Sequence, residues 1–297
     1  MTKRKDLTVD DSHDSGAKPD RREFLGTFGA LLASTALPMN SVGNLLGSMK
    51  VGPVGLQLYT VRDEMKKDVA GTLARVAKTG YREVEFAGYF DQSPQTIRAM
   101  LNRNGLTAPS AHIGSPVLGA PWDKIIADAL VVGHKYLICP WIDEKQRTLD
   151  GYKQAAELFN KAGERAKQSG LQFGYHNHNF EFPLVDGQRP YDLLITQTDP
   201  DKVIMEMDVF WVRKGGADPL AYFKKYPGRF QLLHIKDMDG TPAQNMTDVG
   251  KGIINWKEIL RHRAQAGTKH IFVEHDQPKD PFVSIRNSYQ YLRTLAV

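Results

Sequence analysis

Histidine and acidic residues gather at the ends of several apolar runs in this sequence. The stretch FGYHNHNFEF, residues 173–182, carries His176 and His178 at the end of a run that otherwise reads as a buried strand. Oxygen and imidazole ligands suit Mn²⁺, Zn²⁺, Co²⁺ or Mg²⁺. The residue types therefore indicate a divalent-metal site, provided that the fold brings the run ends together. Later apolar runs end in further groups of these kinds, at Glu206, Asp208, His234, Glu274 and Asp276.

Eight short apolar runs rich in β-branched residues follow residue 53, with helical stretches between them. Helical candidates at 68–80, 93–105, 150–170 and 255–267 close with a glycine, where a left-handed helix cap is expected. The predicted strands are 54–59, 82–87, 107–113, 135–140, 171–178, 202–208, 230–236 and 269–275.

The order of these elements predicts the fold class. Strict alternation of strands and helices is typical of a parallel sheet. Eight units of about thirty residues suit a closed barrel better than an open sheet. No Gly-rich GxGxxG turn follows the first strand, so a dinucleotide-binding fold lacks its best signal. We predict an α/β fold of the (β/α)₈ TIM-barrel type over residues 51–297.

In such a barrel, polar residues at the carboxyl ends of strands point into the mouth, where active sites lie. Strand three ends in His112, and strand seven ends in His234 and Lys236. Alternate residues of a strand share a face, so Asp208, His234 and Glu274 on successive strands are expected to converge. A single aspartate at a strand end is more often a helix cap. Three such groups in register favour a metal site.

Residues 1–50 differ in kind from the rest of the chain. A polar segment is followed by Arg21 and Arg22, by an apolar stretch from Phe24 to Leu37, and by small residues near its end. These are the three parts of an export signal, and the apolar stretch is too short for a stable membrane anchor. The RRxFL pattern resembles a twin-arginine signal. We therefore expect a signal peptide and linker here, and a periplasmic or other extracytoplasmic location.

The composition is that of an ordinary globular protein. The 297 residues are 41% hydrophobic and 25% charged, with a net charge of +5. Nucleic-acid binding needs basic residues clustered on one face, whereas here they alternate with acidic ones, so we expect no nucleic-acid partner. Cys139 is the only cysteine, which excludes an intrachain disulfide. The stability of the domain must then come from its core.

Six motifs occur in order along the predicted strands: GLQLYTVRDE, SAHIG, YHNHNFEF, MEMDVFWV, HIKD and FVEHD. Together they resemble the xylose isomerase-like TIM-barrel superfamily, in its sugar phosphate isomerase/epimerase branch, over about residues 52–297. The resemblance implies a divalent metal held by groups on strands five to eight. The matching residues are His176, Asp208, His234 and Glu274, with His178 as the competitor on strand five.

Two positions depart from the ketose 3-epimerases of this superfamily. In those enzymes the strand-five ligand is a glutamate that works with the strand-eight glutamate as a pair of acid/base groups, whereas His176 stands here. The same enzymes carry a histidine three residues after the strand-six aspartate, and here that residue is Trp211. These departures argue against a simple two-glutamate epimerisation.

The implied chemistry is removal of a proton next to the carbonyl of a keto-sugar, which gives an enediolate. Glu274 is the expected base or acid, with His112 and Lys236 as proton donors or oxyanion partners. A neutral core role is the alternative for His112. Return of the proton gives isomerisation or epimerisation, while loss of a leaving group gives elimination, as in a hydratase-type cleavage of a 3-keto-glycoside.

Aromatic residues near strand ends, Trp211, Trp141 and Tyr59, offer faces on which a sugar ring can stack, although barrel aromatics more often pack helices against strands. With His178 and Gln57, we expect Trp211 and Tyr59 to contact the substrate. Export argues against a phosphorylated substrate, so we expect a free sugar or glycoside.

An endonuclease and a non-catalytic sugar-binding protein are alternative functions for the same barrel. An endonuclease-type member would need more metal ligands than the sequence offers. A non-catalytic sugar-binding barrel stays open, because the strand-five glutamate is absent. The sequence does not decide whether the chain forms a homo-oligomer.

Overall fold

A closed ring of eight parallel strands forms the centre of the structure, a computed structural model that describes residues 51–297. The predicted export signal lies outside the described residues. Each strand pairs with its neighbours in the sequence, and the first closes on the last, which confirms the (β/α)₈ barrel. The barrel strands are β1 Gly55–Gln57, β2 Glu83–Ala87, β3 Thr107–His112, β4 Tyr136–Cys139, β5 Gln172–His176, β6 Val203–Asp208, β7 Leu232–Ile235 and β8 His270–Val273. Outside the barrel, Asp237–Met238 and Met246–Thr247 pair as a small antiparallel sheet.

Helices connect the strands. The longest helix, α5, buries Tyr152, Ala156 and Phe159, whose spacing of three and four residues places them on one face. Among the described residues no helix has the length and apolar character needed to cross a membrane. The helices are α1 Arg62–Lys67, α2 Val69–Thr79, α3 Pro94–Asn104, α4 Ala120–Val132, α5 Leu149–Gln168, α6 Pro190–Gln197, α7 Val209–Lys214, α8 Pro219–Lys225, α9 Trp256–Arg261, α10 Arg263–Ala266 and α11 Pro281–Thr294.

Several strands end earlier than the sequence predicts. The fifth was expected to reach residue 178 but ends at His176, because the Asn177 side chain takes over the pairing: its Oδ1 accepts the N–H of Asp208 at 3.1 Å. The single helix predicted over 255–267 is instead two, α9 and α10, which meet at His262. The N–H of His262 bonds the carbonyl of Ile259, three residues back, so the α-helical pattern is interrupted there.

A bulge in β3 decides which of its side chains face the barrel interior. Thr107 pairs with Glu83, but Ser110 pairs with Glu85, so β3 contains one residue more than β2 over this interval. Pro109 lies in the extra segment, where its missing N–H leaves no bond unmade. Because side chains alternate along a strand, the insertion turns Ser110 and His112 inward.

An apolar layer fills the barrel beneath the mouth. Ile138, Ile204, Leu232 and Phe272 are buried there and form a cluster of their own. Gly174 makes this packing possible, since a Cβ at that position would lie 2.7 Å from the δ carbons of Ile138 and Ile204. The layer closes the barrel from below, so every polar group above it must be satisfied by its neighbours or by a ligand at the mouth.

Candidate metal centre and active site

The predicted site residues all lie at the carboxyl end of the barrel, at two depths. Asp208, His234 and Gln57 are fully buried beneath the mouth. Gln57, expected to contact the substrate, is instead held by protein groups: its Nε2 donates to Glu85 Oε2 at 2.7 Å and its Oε1 accepts from Tyr59 N. The residues that line the cavity above are His112, His176, His178, Trp211, Lys236, Glu274 and Tyr59.

Four side chains, from β5, β6, β7 and the residue after β8, form what we call the upper nest: His176, Asp208, His234 and Glu274. His176 Nε2 lies 3.7 Å from Asp208 Oδ2, and His234 Nδ1 lies 2.7 Å from Glu274 Oε2. Asp208 has two roles in this geometry. Its Oδ1 caps helix α7 by accepting the N–H of Trp211 at 2.9 Å, while its buried Oδ2 forms an ion pair with Lys236 Nζ at 3.1 Å and accepts no other hydrogen bond.

The other ring nitrogens of the two histidines face a second pair of acids, Glu85 and Glu206, which we call the lower carboxylates. His176 Nδ1 lies 3.0 Å from Glu206 Oε2. His234 Nε2 lies 2.6 Å from Glu85 Oε2 and 3.2 Å from Glu206 Oε2. A carboxylate behind a ligand histidine fixes its tautomer and ring orientation. The upper nitrogens of both rings are thereby aimed at the upper nest.

The lower carboxylates are themselves held in place. Glu85 Oε1 accepts the hydroxyl of Ser110 at 2.5 Å, and Glu206 Oε2 lies 2.7 Å from His112 Nε2. Sequence reasoning gave Glu85 no role and noted Glu206 only as a strand-end acid. The signal was present in REVEFA, where Glu85 falls between two buried apolar residues. A buried acid at such a position needs partners, and here these include Gln57, Ser110 and His234.

Lys236 is a buried ammonium among three acids. Its Nζ lies 2.8 Å from Glu274 Oε2, 2.8 Å from Asp276 Oδ1 and 3.1 Å from Asp208 Oδ2. Two of these acids belong to the upper nest. The lysine therefore supplies positive charge at the place where the nest carboxylates would otherwise repel each other.

The histidines of the site have pKa values that their neighbours push apart. Burial lowers the pKa of His176 to about 3, so this ring is neutral. Burial also opposes a charge on His234, but Glu206 and Glu85 outweigh it and hold the pKa of His234 well above its usual range. The same two acids raise the pKa of His112 against the effect of burial.

The pKa values of the two upper-nest acids and of the neighbouring Lys236 also reflect a competition between burial and nearby charges. Burial raises the pKa of Asp208 to about 6. Burial acts in that direction on Glu274 too, but Lys236 and His234 hold the pKa of Glu274 well below its usual range. The pKa of Lys236 lies well above its usual range, because Asp208, Glu274 and Asp276 outweigh the cost of burying its charge.

His176 and His178, the two strand-five candidates, occupy different surroundings. His176 lies beside Asp208, whereas His178 stacks on Phe180, with ring centroids 5.5 Å apart and planes 7° from parallel. The loop that carries His178 is fixed by Glu181, which accepts the Tyr175 hydroxyl at 2.5 Å and the His178 N–H at 2.9 Å. The geometry thus assigns His176 to the upper nest and His178 to an aromatic group beside it.

The donor sets at this site suit a divalent cation. Asp208, His234 and Glu274 each offer one ligand atom, and these atoms lie within 4.8 Å of one another. The same holds for a lower group of His112, His176, Glu206 and His234. Both sets contain only imidazole nitrogen and carboxylate oxygen, as Zn²⁺ and Mn²⁺ accept. The upper set adjoins the cavity through Glu274, and the lower set adjoins it through His112 and His176. Asp208 Oδ2 of the upper set is paired with the Lys236 ammonium and accepts no further hydrogen bond.

With this geometry in hand, comparison with known proteins identifies the family. The family described as xylose isomerase-like TIM barrel matches residues 73–295. This chain belongs to that family. The barrel and the order of its site residues along β5 to β8 agree with the resemblance found in the motifs.

Individual relatives carry enzyme names of more than one kind. An inosose dehydratase from Lacticaseibacillus casei is 24% identical and matches 82% of this chain and 95% of its own. A sugar phosphate isomerase/epimerase structure from Parabacteroides distasonis is 31% identical, with a TM-score of 0.72, over 82% of this chain and 98% of its own. The IOLI protein, solved with a bound zinc atom, is 14% identical, with a TM-score of 0.65, over 82% of this chain and 96% of its own, which shows a common fold alone.

Proposed function

We propose that this protein is a metal-dependent enzyme that removes the proton next to the carbonyl of a keto-sugar or keto-cyclitol, as isomerases and epimerases of sugars do. The observation that carries the proposal is the upper nest. Two carboxylates and two imidazoles converge at the mouth of the barrel, with the far nitrogens of both rings bonded to the lower carboxylates. The ligand atoms of Asp208, His234 and Glu274 lie within 4.8 Å of one another, and Glu274 and His176 line the cavity through which a substrate would arrive.

His176, Asp208, His234 and Glu274 would hold the metal. Bound there, a divalent cation supplies the positive charge that stabilises oxyanions of the substrate while the neighbouring C–H is deprotonated. This support is needed because the C–H next to a carbonyl is itself a weak acid, and a carboxylate such as Glu274 is a weak base toward it.

The remaining steps belong to side chains of the protein. Glu274 would take the proton, since its carboxylate lines the cavity. Lys236 Nζ, 2.8 Å from Glu274, would donate a hydrogen bond or a proton to a substrate oxygen. His112, which also lines the cavity and is hydrogen-bonded to Glu206, would serve as the second hydrogen-bond or proton donor. Return of the proton to the other face or the neighbouring carbon completes epimerisation or isomerisation.

Elimination is the second candidate, and a specific feature favours it. The strand-five position holds neutral His176 rather than a carboxylate, so the nest lacks the symmetrical acid/base pair that a two-faced proton exchange would use. After proton removal, the C–O bond on the next carbon would break. The departing oxygen would take a proton from Lys236 or His112, leaving an unsaturated ketone. The names of the dehydratase relatives point the same way.

Product NMR in D₂O tests both candidates. Protein loaded with Zn²⁺ or Mn²⁺ is incubated with free ketoses, an inosose and 3-keto-glucosides. Deuterium at the carbon next to the carbonyl, with the carbon skeleton intact, supports isomerisation or epimerisation, and release of water or an alcohol supports elimination. No exchange and no release with any of these compounds would contradict the proposal and favour a sugar-binding barrel. Glu274→Gln is the matched inactive variant.

A further inference from the structure

The cavity above the upper nest is larger than one sugar ring requires. Its volume is about 880 Å³, near the upper end of the ~300–1,000 Å³ typical of pockets for drug-sized ligands. A hexose has only twelve carbon and oxygen atoms. The lining residues divide into polar groups at the strand ends and a second group in the loops and helix α4, which is largely aromatic and apolar: Tyr89, Ile113, Ile125, Trp141 and Phe180.

Two members of the second group, Trp141 and Phe180, form a rigid exposed aromatic surface together with Arg147, which does not line the cavity. We call these three residues the Trp141 platform. Trp141 is 48% exposed, although large aromatic side chains are usually mostly buried. The Arg147 guanidinium carbon lies 4.3 Å from the centroid of the Trp141 ring and 3.4 Å from that of Phe180. The two rings also contact edge to face at 4.9 Å. Trp141 is therefore fixed in orientation while it remains open to a ligand.

The platform adjoins the site of chemistry. His178 lies between them, with its ring centroid 4.9 Å from that of Trp141 and 5.1 Å from that of His176. A ligand whose first ring lies over the upper nest can thus extend its second ring onto Trp141. A ring fixed in advance costs less entropy on binding than a mobile one.

The charges of the lining indicate an uncharged ligand. Lys236 is the only lysine or arginine among the described lining residues, and it is already bonded to carboxylates. The lining also includes three acids, Asp128, Glu274 and Asp276. A phosphate ester needs arginine or lysine partners. The guanidinium of Arg147 is stacked on the rings of Trp141 and Phe180, and Arg147 is not among the residues that line the cavity.

We propose that the cavity binds an uncharged two-ring substrate of the glycoside class. The reacting sugar ring lies over the upper nest, and the second ring stacks on the Trp141 platform. The proposal rests on the proposed function for the identity of the reacting ring, but the second-ring subsite can be tested by binding alone.

The test is calorimetric and fluorescence titration of the protein with four probes: glucose, cellobiose, phenyl β-D-glucoside and glucose 6-phosphate. We expect the two-ring probes to bind at least tenfold (~1.4 kcal/mol) more tightly than glucose, and the phosphate to give no gain. In Trp141→Ala the ratio between two-ring and one-ring affinity should fall about tenfold, and in Trp141→Phe it should fall less.

Phe282→Ala is the matched control, since Phe282 is another aromatic ring under a guanidinium, 3.3 Å from Arg75 Cζ, and it does not line the cavity. This variant should keep the ratio of the parent protein. Equal affinity for glucose and cellobiose, tighter binding of glucose 6-phosphate than of cellobiose, or the same ratio in Trp141→Ala would each overturn the proposal. Two-ring binding without turnover of any keto-sugar would instead support the subsite and count against the proposed function.

Discussion

The two faces of the paired histidines differ in what surrounds them. The lower nitrogens of His176 and His234 meet Glu85 and Glu206, which are fully buried and fixed by further bonds. The upper nitrogens meet Asp208 and Glu274 beside an open cavity. Each face keeps one carboxylate oxygen without a hydrogen bond, Asp208 Oδ2 above and Glu206 Oε1 below. We propose that these similar donor sets serve two purposes: the carboxylates of the closed face orient the rings, and those of the open face bind the cation.

The largest expected effect comes from removing the buried lysine of the open face. Lys236→Met leaves Asp208, Glu274 and Asp276 without their positive neighbour, so we expect about 3–5 kcal/mol less stability in metal-free protein. Urea unfolding in EDTA measures this loss. Saturation with Zn²⁺ should restore a large part of the lost stability, because the ion then supplies positive charge beside the same acids.

Lys225→Met is the matched control for this loss. Lys225 pairs with Asp192 at 3.0 Å, but its side chain is 56% exposed, so the change should stay within about 1 kcal/mol. A Zn²⁺ effect of equal size in Lys236→Met and in the parent protein would indicate that the ion binds away from the open face.

Metal affinity should depend most strongly on the open face. Asp208→Asn keeps the shape of the side chain but removes the anionic oxygen that has no hydrogen bond. We expect the affinity for Zn²⁺ to fall more than 100-fold, beyond the ~10–100-fold typical of residues behind a ligand. Competition against a chromogenic chelator measures it, with elemental analysis for stoichiometry. An unchanged affinity would rule out Asp208 as a ligand.

The closed face should give a smaller effect of a different kind. Glu206→Gln and Glu85→Gln keep a polar group behind His176 and His234 but change which ring nitrogen carries the proton. We expect a ~10–100-fold loss of Zn²⁺ affinity and altered ¹⁵N shifts of the two rings. If Glu206→Gln abolished binding while Asp208→Asn retained it, the comparison would be reversed and the lower group would be the metal site.

The sequence predicted the open face better than the closed one. Strand-end positions such as Asp208 and His234 follow from counting along apolar runs, because alternation fixes which side chains face inward. The partners of Glu85 come from three other strands. Its bond to Ser110 depends on the bulge in β3, which no local sequence pattern predicts. Which nitrogen of a ring faces which acid is likewise decided by packing. The placement of Lys236 among three acids required the same long-range information.

His134 is a buried histidine without a carboxylate neighbour, and we expect its effect on stability to be the smallest of those described. His134 is buried, with Nδ1 2.7 Å from the Ala108 carbonyl oxygen and Nε2 3.0 Å from the Tyr89 hydroxyl. Burial lowers the pKa of His134 to about 4. As pH falls below about 6.5, His134 becomes protonated in the unfolded chain but stays neutral in the folded protein. The free energy of unfolding is therefore highest above that pH and decreases toward pH 4. At pH 5.5 the loss is about 1 kcal/mol.

In His134→Gln this part of the acid dependence should disappear. Urea unfolding at several pH values between 7 and 4.5 should give a shallower fall in the free energy of unfolding than in the parent protein. His262→Gln, at a histidine whose side chain is 43% exposed, is the matched control for the substitution itself. Identical slopes in His134→Gln and the parent would show that burial alone does not keep this ring neutral. The pKa of His134 is lowered and that of His234 is raised, and we attribute the difference to the carboxylates that contact only His234. Identical slopes would contradict this explanation.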